Sequence, residues 1–288
     1  MCRLFGLTSG DHPIRATFWL LDAPSSIREQ SRRMPDGTGL GWFTQNGSII
    51  RSRAPIPAYK YTEFEQEAQR ISSTMFVAHI RYATTGHVEV RNTHPFEMDN
   101  RLFAHNGIIK GLDILRSWLT PDELKLVKGA TDSELIFAFI TAEINRLGDT
   151  TKGLTSAITR IGAELPVFAL NILLAEKDKI WALRYPDTHE LWVLPSTGEQ
   201  FLRSDSGLMR VHARDGEDFP AVVIASEPLD HNPEWRLLDP GELLIAEGPA
   251  THSLFPFKDP AHPLTREDLD LHEVLAQEPA TKDVVAGA

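Results

Sequence analysis

Apolar and polar positions come in short strand-like bursts along most of this chain, and helical spacing takes over only in its middle. Arg3, Leu4, Phe5, Gly6 and Leu7 read as a short buried strand ending in a Thr-Ser-Gly turn, which anchors the start of the chain in a sheet. Residues 12–34 set Phe18, Leu20, Leu21 and Ile27 against Arg28, Glu29, Arg32 and Arg33, and predict one or two short helices broken at Pro24. Residues 35–43 (PDGTGLGWF) carry three glycines in a tight, closely approaching backbone and run into a strand. Glycine content makes 35–41 a candidate segment for closing over a pocket. Asn46-Gly47 predicts a type I′ hairpin, because that turn needs φ > 0 at both central positions.

A helix is expected over 62–73 and a central strand over 74–84 (TMFVAHIRYAT). Residues 101–110 form another strand, or a strand pair meeting at Asn106-Gly107. Within the helical block 111–165, Thr131 and Glu134 make a capping-box pattern ahead of Leu135, Ile136, Phe139, Ile140, Ile144 and Leu147. Leu154, Ile158, Ile161 and Leu165 form a second amphipathic face. After Pro166 the chain returns to strands: VFALNILLAE, KIWALRYP, ELWVLPS, AVVIASEPL and GELLIAEG. From about Phe255 it turns Pro- and acid-rich with weak periodicity, as in a surface-packed or mobile tail. Strands, a helix pair and strands again fit one layered α+β body.

Composition narrows the partners. A net charge of −11 argues against nucleic acid or anionic lipid, both of which need a basic face. No apolar run approaches the roughly 20 residues of a membrane span, and Gly10, Asp11 and His12 interrupt the first one too early for a signal peptide. A single cysteine excludes an internal disulfide and suits a reducing, cytoplasmic setting.

That cysteine is Cys2, one peptide bond from the initiator methionine. Removal of Met1 puts a thiol and a free α-amine on one residue. With an amine near ~7.7–8.0 and a thiol near ~8.5, the nucleophile then carries its own base. Cleaving a side-chain amide with a thiolate also needs an oxyanion hole, worth about 2.7–4 kcal/mol per donor. The Asn106 amide beside the Gly107 N–H can supply two donors. A free amino-acid substrate needs its carboxylate and ammonium held, for which an arginine fork and an aspartate are suited; Arg81 and Asp132 are the candidates. Each residue also has a plainer reading. Arg81 can pair with a core carboxylate, Asn106-Gly107 can be only a turn, and Asp132 sits where a helix dipole favours an acid anyway. His79, His94 and His105 lack helical ligand spacing, so no metal is assigned. Trp42, Trp181, Trp192, Trp235 and Ser226 read as structural.

The ordered set Met1-Cys2, PDGTGLGW, HIRYATTG, NTHPF, AHNG and TDSE resembles the class II glutamine amidotransferase domain of the N-terminal nucleophile (Ntn) hydrolases. The likeness is greatest to the stand-alone YafJ-like and ergothioneine-pathway γ-glutamyl amidohydrolase branches, and it spans roughly residues 2–250. It implies a four-layer αββα sandwich of two mostly antiparallel sheets over 2–254, followed by the tail 255–288. By the same resemblance Cys2 is the nucleophile, and Asn106 with Gly107 the oxyanion hole. Arg81 clamps the substrate carboxylate with Thr84 in the same binding set, and Asp132 holds the amino group. No cofactor is implied. The expected reaction is cleavage of the glutamine γ-amide through a cysteine thioester, with ammonia released or passed to a separate accepting enzyme. Two alternatives are a γ-glutamyl amide on a larger metabolite and a catalytically silent binding or regulatory relative. Many family members read Arg-Trp-Ala-Thr-His-Gly where this chain has Tyr82 and Thr85, a difference that falls on the pocket wall.

Overall fold

The pleat sorts each strand's side chains between two faces, and those faces define the layers. The computed structural model describes residues 1–83, 86–195 and 220–277. The first half contributes β1 (Arg3–Thr8), α1 (Ile27–Gln30), β2 (Gly37–Phe43), β3 (Ile49–Ala54), α2 (Thr62–Arg70), β4 (Met75–Arg81), β5 (Phe96–Met98) and β6 (Arg101–Ile109). Three helices follow: α3 (Leu112–Ser117), α4 (Asp132–Leu147) and α5 (Thr150–Glu164). The last part adds β7 (Pro166–Ala175), β8 (Ile180–Leu183), β9 (Trp192–Pro195), β10 (Val222–Ala225), β11 (Arg236–Leu237), β12 (Leu243–Glu247), β13 (Ala250–Leu254), β14 (His262–Pro263) and α6 (Leu271–Gln277).

One sheet runs β11-β9-β10-β1-β4-β2-β3 and the other β13-β12-β8-β7-β6-β5, with β14 added beside β7. Apart from the parallel β14–β7 pair, neighbouring strands are antiparallel. Alternation along β1 turns Leu4 into the space between the sheets, against Leu102, Ala104 and Leu173. Phe5 and Leu7 point the other way, onto Leu20, Ile27 and Phe64. On the far side Phe103, Ile172 and Leu174 meet Phe137, Ile140, Leu154 and Ile158. Helix, sheet, sheet, helix is the four-layer sandwich implied by the resemblance, and its inner sheet faces bring β1, β4 and β6 together. No helix among the described residues is long and apolar enough to cross a membrane.

Three local expectations are corrected. The segment 35–41 is not a cover: its residues 37–41 are the first five of the seven in β2, buried between β3 and β4. Their glycines serve close packing, since a Cβ on Gly39 would stand 1.9 Å from the His94 carbonyl oxygen. Gly39→Ala is therefore expected to lower stability by about 3 kcal/mol, because the obstacle is backbone and cannot rotate away. Urea unfolding measures this, and a change below about 0.5 kcal/mol, the ordinary range of harmless substitutions, would contradict it.

The β2–β3 hairpin exists, but not with a type I′ turn. Only Gly47 has positive φ there, at 84°, and Thr44 accepts from Gly47 N–H and donates to Ser48 O, both at 2.9 Å. This is a type I turn closed by a left-handed glycine. The two-residue primed turn lies instead at Asp99-Asn100, with φ of 46° and 58°, between β5 and β6. Asn106-Gly107 is not a turn: β6 runs through it unbroken, with Asn106 opposite Asn171 and Gly107 opposite Leu170. A Cβ on Gly107 would meet the Ala169 carbonyl oxygen at 1.9 Å, so glycine is needed in mid-strand.

The tail is held to the body as far as it is described. Lys110 pairs with Glu273 at 3.3 Å, His189 Nε2 lies 2.8 Å from Gln277 Oε1, and the Met1 amine donates to the Ala276 carbonyl.

Candidate active site

Antiparallel pairing of β1 with β4 sets Arg3 opposite Ile80 and so brings Cys2 to the end of β4, where Arg81 and Tyr82 emerge. The Cys2 Sγ accepts from Tyr82 N–H and donates to Tyr82 O, both at 3.3 Å. Around it, Arg3 donates to the carbonyls of Met1 and Cys2 and pairs with Glu227 at 3.2 Å. Ser226, read from the sequence as structural, accepts from Leu4 N–H at 2.9 Å and pins the same strand.

From the second sheet β6 contributes His105 and Gly107, and from the helical layer α4 presents its first turn. Thr131, not Asp132, is the residue that caps α4, accepting from Glu134 N–H at 3.2 Å. The other half of the predicted box is spent elsewhere, since the Glu134 carboxylate accepts from Lys128 N–H at 3.0 Å and from Gly129 N–H at 2.5 Å. Asp132 is thereby left to face the cleft, its Oδ1 accepting from Ser133 N–H at 2.8 Å. Cys2, Arg81, Gly107 and Asp132 thus line one cleft, shared with Tyr82, His94, His105, Thr131 and Ser133. Asn106 is not among these lining residues. It is buried one position along β6, on the opposite face of the strand from His105 and Gly107. Thr84 lies outside the described residues.

The cleft is narrow, about 20 Å³, which is room for one water molecule. Arg81 is turned to its own loop, with Nη1 donating to His87 O at 3.0 Å and Nη2 to Gly86 O at 3.3 Å. Burial lowers its pKa, against the attraction of Cys2, Asp36 and Asp132. Asp36 also shapes this turn by accepting from Ala83 N–H at 2.8 Å.

Burial pushes the pKa of the Cys2 thiol up from its ordinary value, opposed by the Tyr82 backbone, the terminal amine, Arg81 and Arg3. Burial lowers the Met1 amine, opposed by Cys2. In the chain that keeps Met1, the thiol is therefore protonated at neutral pH. Iodoacetamide labelling of that form should be slow at pH 7 and still accelerating above pH 9, because only the thiolate attacks. A labelling rate already level by pH 8, read by intact mass, would contradict the assignment.

Histidines form the part of the site that the spacing of the sequence did not reveal. His79 and His94 stack with ring centroids 4.1 Å apart, and His105 Nδ1 lies 2.9 Å from Ser133 Oγ. All three are buried and neutral, with His79 lowered by burial and by Arg81 to about 3. His94 sits in NTHPF and His105 in AHNG, so the motifs carried the signal although the separation along the chain did not. No sequence motif marks His189. It is buried beside the tail, its pKa lowered to about 4 by burial against the Gln277 hydrogen bond and the Asn106 backbone. No group of three or more His, Cys, Asp or Glu among the described residues is arranged to hold a metal ion.

A four-layer sandwich with Cys2 at the head of a central strand defines the architecture of the Ntn hydrolases. The chain belongs to the class-II glutamine amidotransferases, whose family model matches residues 1–268. It is 31% identical over 247 residues to the gamma-glutamyl-hercynylcysteine sulfoxide hydrolase of Mycobacterium tuberculosis, covering 82% of this chain and 88% of that one. Among solved structures, a glutamine aminotransferase class-II domain protein from Silicibacter pomeroyi superposes with a TM-score of 0.60 at 21% identity, over 89% of this chain and all of that one. The glutamine phosphoribosylpyrophosphate amidotransferase of B. subtilis gives a TM-score of 0.62 at 17% identity, over 90% of this chain and 50% of that one. At these identities the solved structures speak for the fold alone.

Proposed function

We propose that the chain is an amidohydrolase that cleaves a γ-glutamyl amide, glutamine being the simplest, through a thioester on Cys2. The observation that carries this reading is the meeting of the only cysteine, Arg81, Gly107 and Asp132 in one cleft. After loss of Met1 the Cys2 amine takes the thiol proton and Sγ attacks the γ-carbonyl carbon. The Gly107 N–H, on the cleft wall, receives the oxyanion, and the Asn106 amide, off that wall in the closed cleft, must turn in to join it as the cleft widens. As the C–N bond breaks, the amine returns its proton to the leaving nitrogen. Water then attacks the thioester and frees glutamate. Arg81 exchanges its two loop carbonyls for the substrate carboxylate, Thr84 completes that set, and Asp132 takes the α-ammonium. The working domain is residues 2–254, acting in the cytoplasm, and released ammonia goes to solution or to a separate accepting enzyme.

The named activity of the mycobacterial relative supports γ-glutamyl chemistry. A cleft of about 20 Å³ must widen to admit a glutamyl group. The test is a glutamine-derived electrophile followed by intact-mass analysis. One adduct is expected on the Met1-free protein and none on Cys2→Ala. An unmodified Met1-free chain, or a Cys2→Ala structure soaked in glutamine with the cleft empty and still one water wide, would overturn the proposal.

A further inference from the structure

Beside the cleft lined by Cys2 lies a second and larger cavity, lined by its neighbour Met1. Cys2 lines the small cleft, while Met1 lines a space of about 280 Å³ together with Phe168, Thr188, His189, Leu264 and Gln277. Arg266 and Thr265, both exposed, stand at its rim. Its walls come from two parts of the chain. Phe168 is on β7, and the loop of residues 184–190 is pinned by Arg184, which donates to His189 O at 2.9 Å and to Asp187 O at 3.0 Å. Asn171, the strand partner of Asn106, also donates to His189 O, at 3.3 Å. The opposite wall is the tail, from Leu264 to Gln277.

From this arrangement we infer that the second cavity receives the substituent on the leaving nitrogen, and that the preferred substrate is a γ-glutamyl amino acid with an apolar side chain, joined through its α-amine. The inference rests on the thioester reading. In that chemistry the proton for the leaving nitrogen comes from the Cys2 amine, so whatever the nitrogen carries lies alongside that amine. Met1 occupies this position until it is removed, and its removal joins the two spaces. Ammonia from glutamine would leave the larger space empty; an amino acid would occupy it.

The lining chooses the class of amine. Phe168 and Leu264 offer apolar contact, and Phe168 meets the His189 ring edge-on with centroids 5.6 Å apart. His189 is buried at 3% exposure, its Nε2 2.8 Å from Gln277 Oε1 and its ring against the Asn106 backbone. With His189 neutral, Arg266 is the charged side chain of the lining, which suits a carboxylate at the outer end of the amine. Bonds balance as in glutamine cleavage: the S–C bond forms, the C–N bond breaks, the amino acid departs with a proton from the Cys2 ammonium, and water frees glutamate.

The test compares glutamate release from γ-glutamylphenylalanine and from glutamine, using Met1-free protein. The kcat/KM ratio should favour γ-glutamylphenylalanine at least tenfold. Thr188→Trp and Leu264→Trp fill the cavity from opposite walls, and each should reduce that ratio tenfold or more; a ratio needs no correction for partly folded protein. Arg266→Glu should penalise γ-glutamylphenylalanine more than γ-glutamylphenylalaninamide, which lacks the carboxylate. A ratio that neither tryptophan changes overturns the inference. If the unsubstituted protein releases glutamate from neither compound, the thioester reading fails. Calorimetry on Cys2→Ala then decides the cavity by itself. Tighter binding of γ-glutamylphenylalanine than of glutamine, lost on adding Thr188→Trp, sustains it, and equal binding overturns it.

Discussion

Replacing Cys2 with alanine should reduce glutamate release from glutamine by at least ~10³-fold while leaving the fold intact. A nucleophile that forms the covalent intermediate has no substitute in the cleft, and losses of this kind run from ~10⁴ to ~10⁶ in other hydrolases. The neighbouring side chains do not offer a rescue: Ser133 is engaged with His105 and Asp132, and burial lowers the pKa of His79, His94 and His105. Stability should change by less than about 1 kcal/mol, because the thiol gives up only its two 3.3 Å contacts with the Tyr82 backbone. The comparison needs protein of known N-terminus, since a retained Met1 acylates the amine that the proposed mechanism uses as base. A Cys2→Ala protein that keeps more than a hundredth of the activity would remove Cys2 from the mechanism, whatever the likeness of the fold.

The layers were legible in the sequence because the strands alternate cleanly and the two helical faces follow their own period. Leu4 against Phe5 and Leu7, or Leu102 against Phe103, already separates the inner face of a sheet from its outer face. The errors fall where local chemistry and tertiary packing ask for the same residue types. Glycines in 37–41 read as freedom of the backbone, yet there they permit contact between a strand and the 94–95 carbonyl region, a long-range fact with no local signature. Asn46-Gly47 and Asp99-Asn100 both suit tight turns, and only the register of the flanking strands decides which takes the primed form.

The site was legible to a similar depth. Cys2, Arg81, Gly107 and Asp132 stand on four separate elements, and the ordered motifs anticipated that those elements converge. The position of Asn106 off the cleft lining follows from the unbroken run of β6, which its reading as a turn would have hidden. His189 belongs to no motif, and its importance comes from the folding of the tail against it. Weak periodicity after Phe255 gave no warning that this segment forms a wall beside the chain's start, because short irregular segments dock through a few contacts rather than a repeating face.

Acidification from pH 7 to pH 5 should lower the unfolding free energy by about 4 kcal/mol or more, well before most carboxylates titrate. The cause is the set of buried imidazoles. In the unfolded chain each titrates near 6.5, whereas burial holds His79 at about 3 and His189 at about 4 in the native state. Between those values the unfolded chain binds protons that the folded chain refuses, so stability rises with pH and is lost as pH falls. At pH 5 this amounts to about 2 kcal/mol for each of the two, and His94 and His105, also lowered by burial, act in the same direction. Glu134 opposes them, since burial raises its carboxyl and protonation there favours the folded form, but its backbone contacts to Gly129 and Lys128 restrain that shift. Urea titrations at pH 7, 6 and 5 measure the sum. His79→Phe, which keeps a ring in the stack with His94, should reduce the slope by about one proton over this range. Equal stability at pH 7 and pH 5 would mean that these imidazoles can charge in the native state, and the neutral form assigned to them would have to be abandoned.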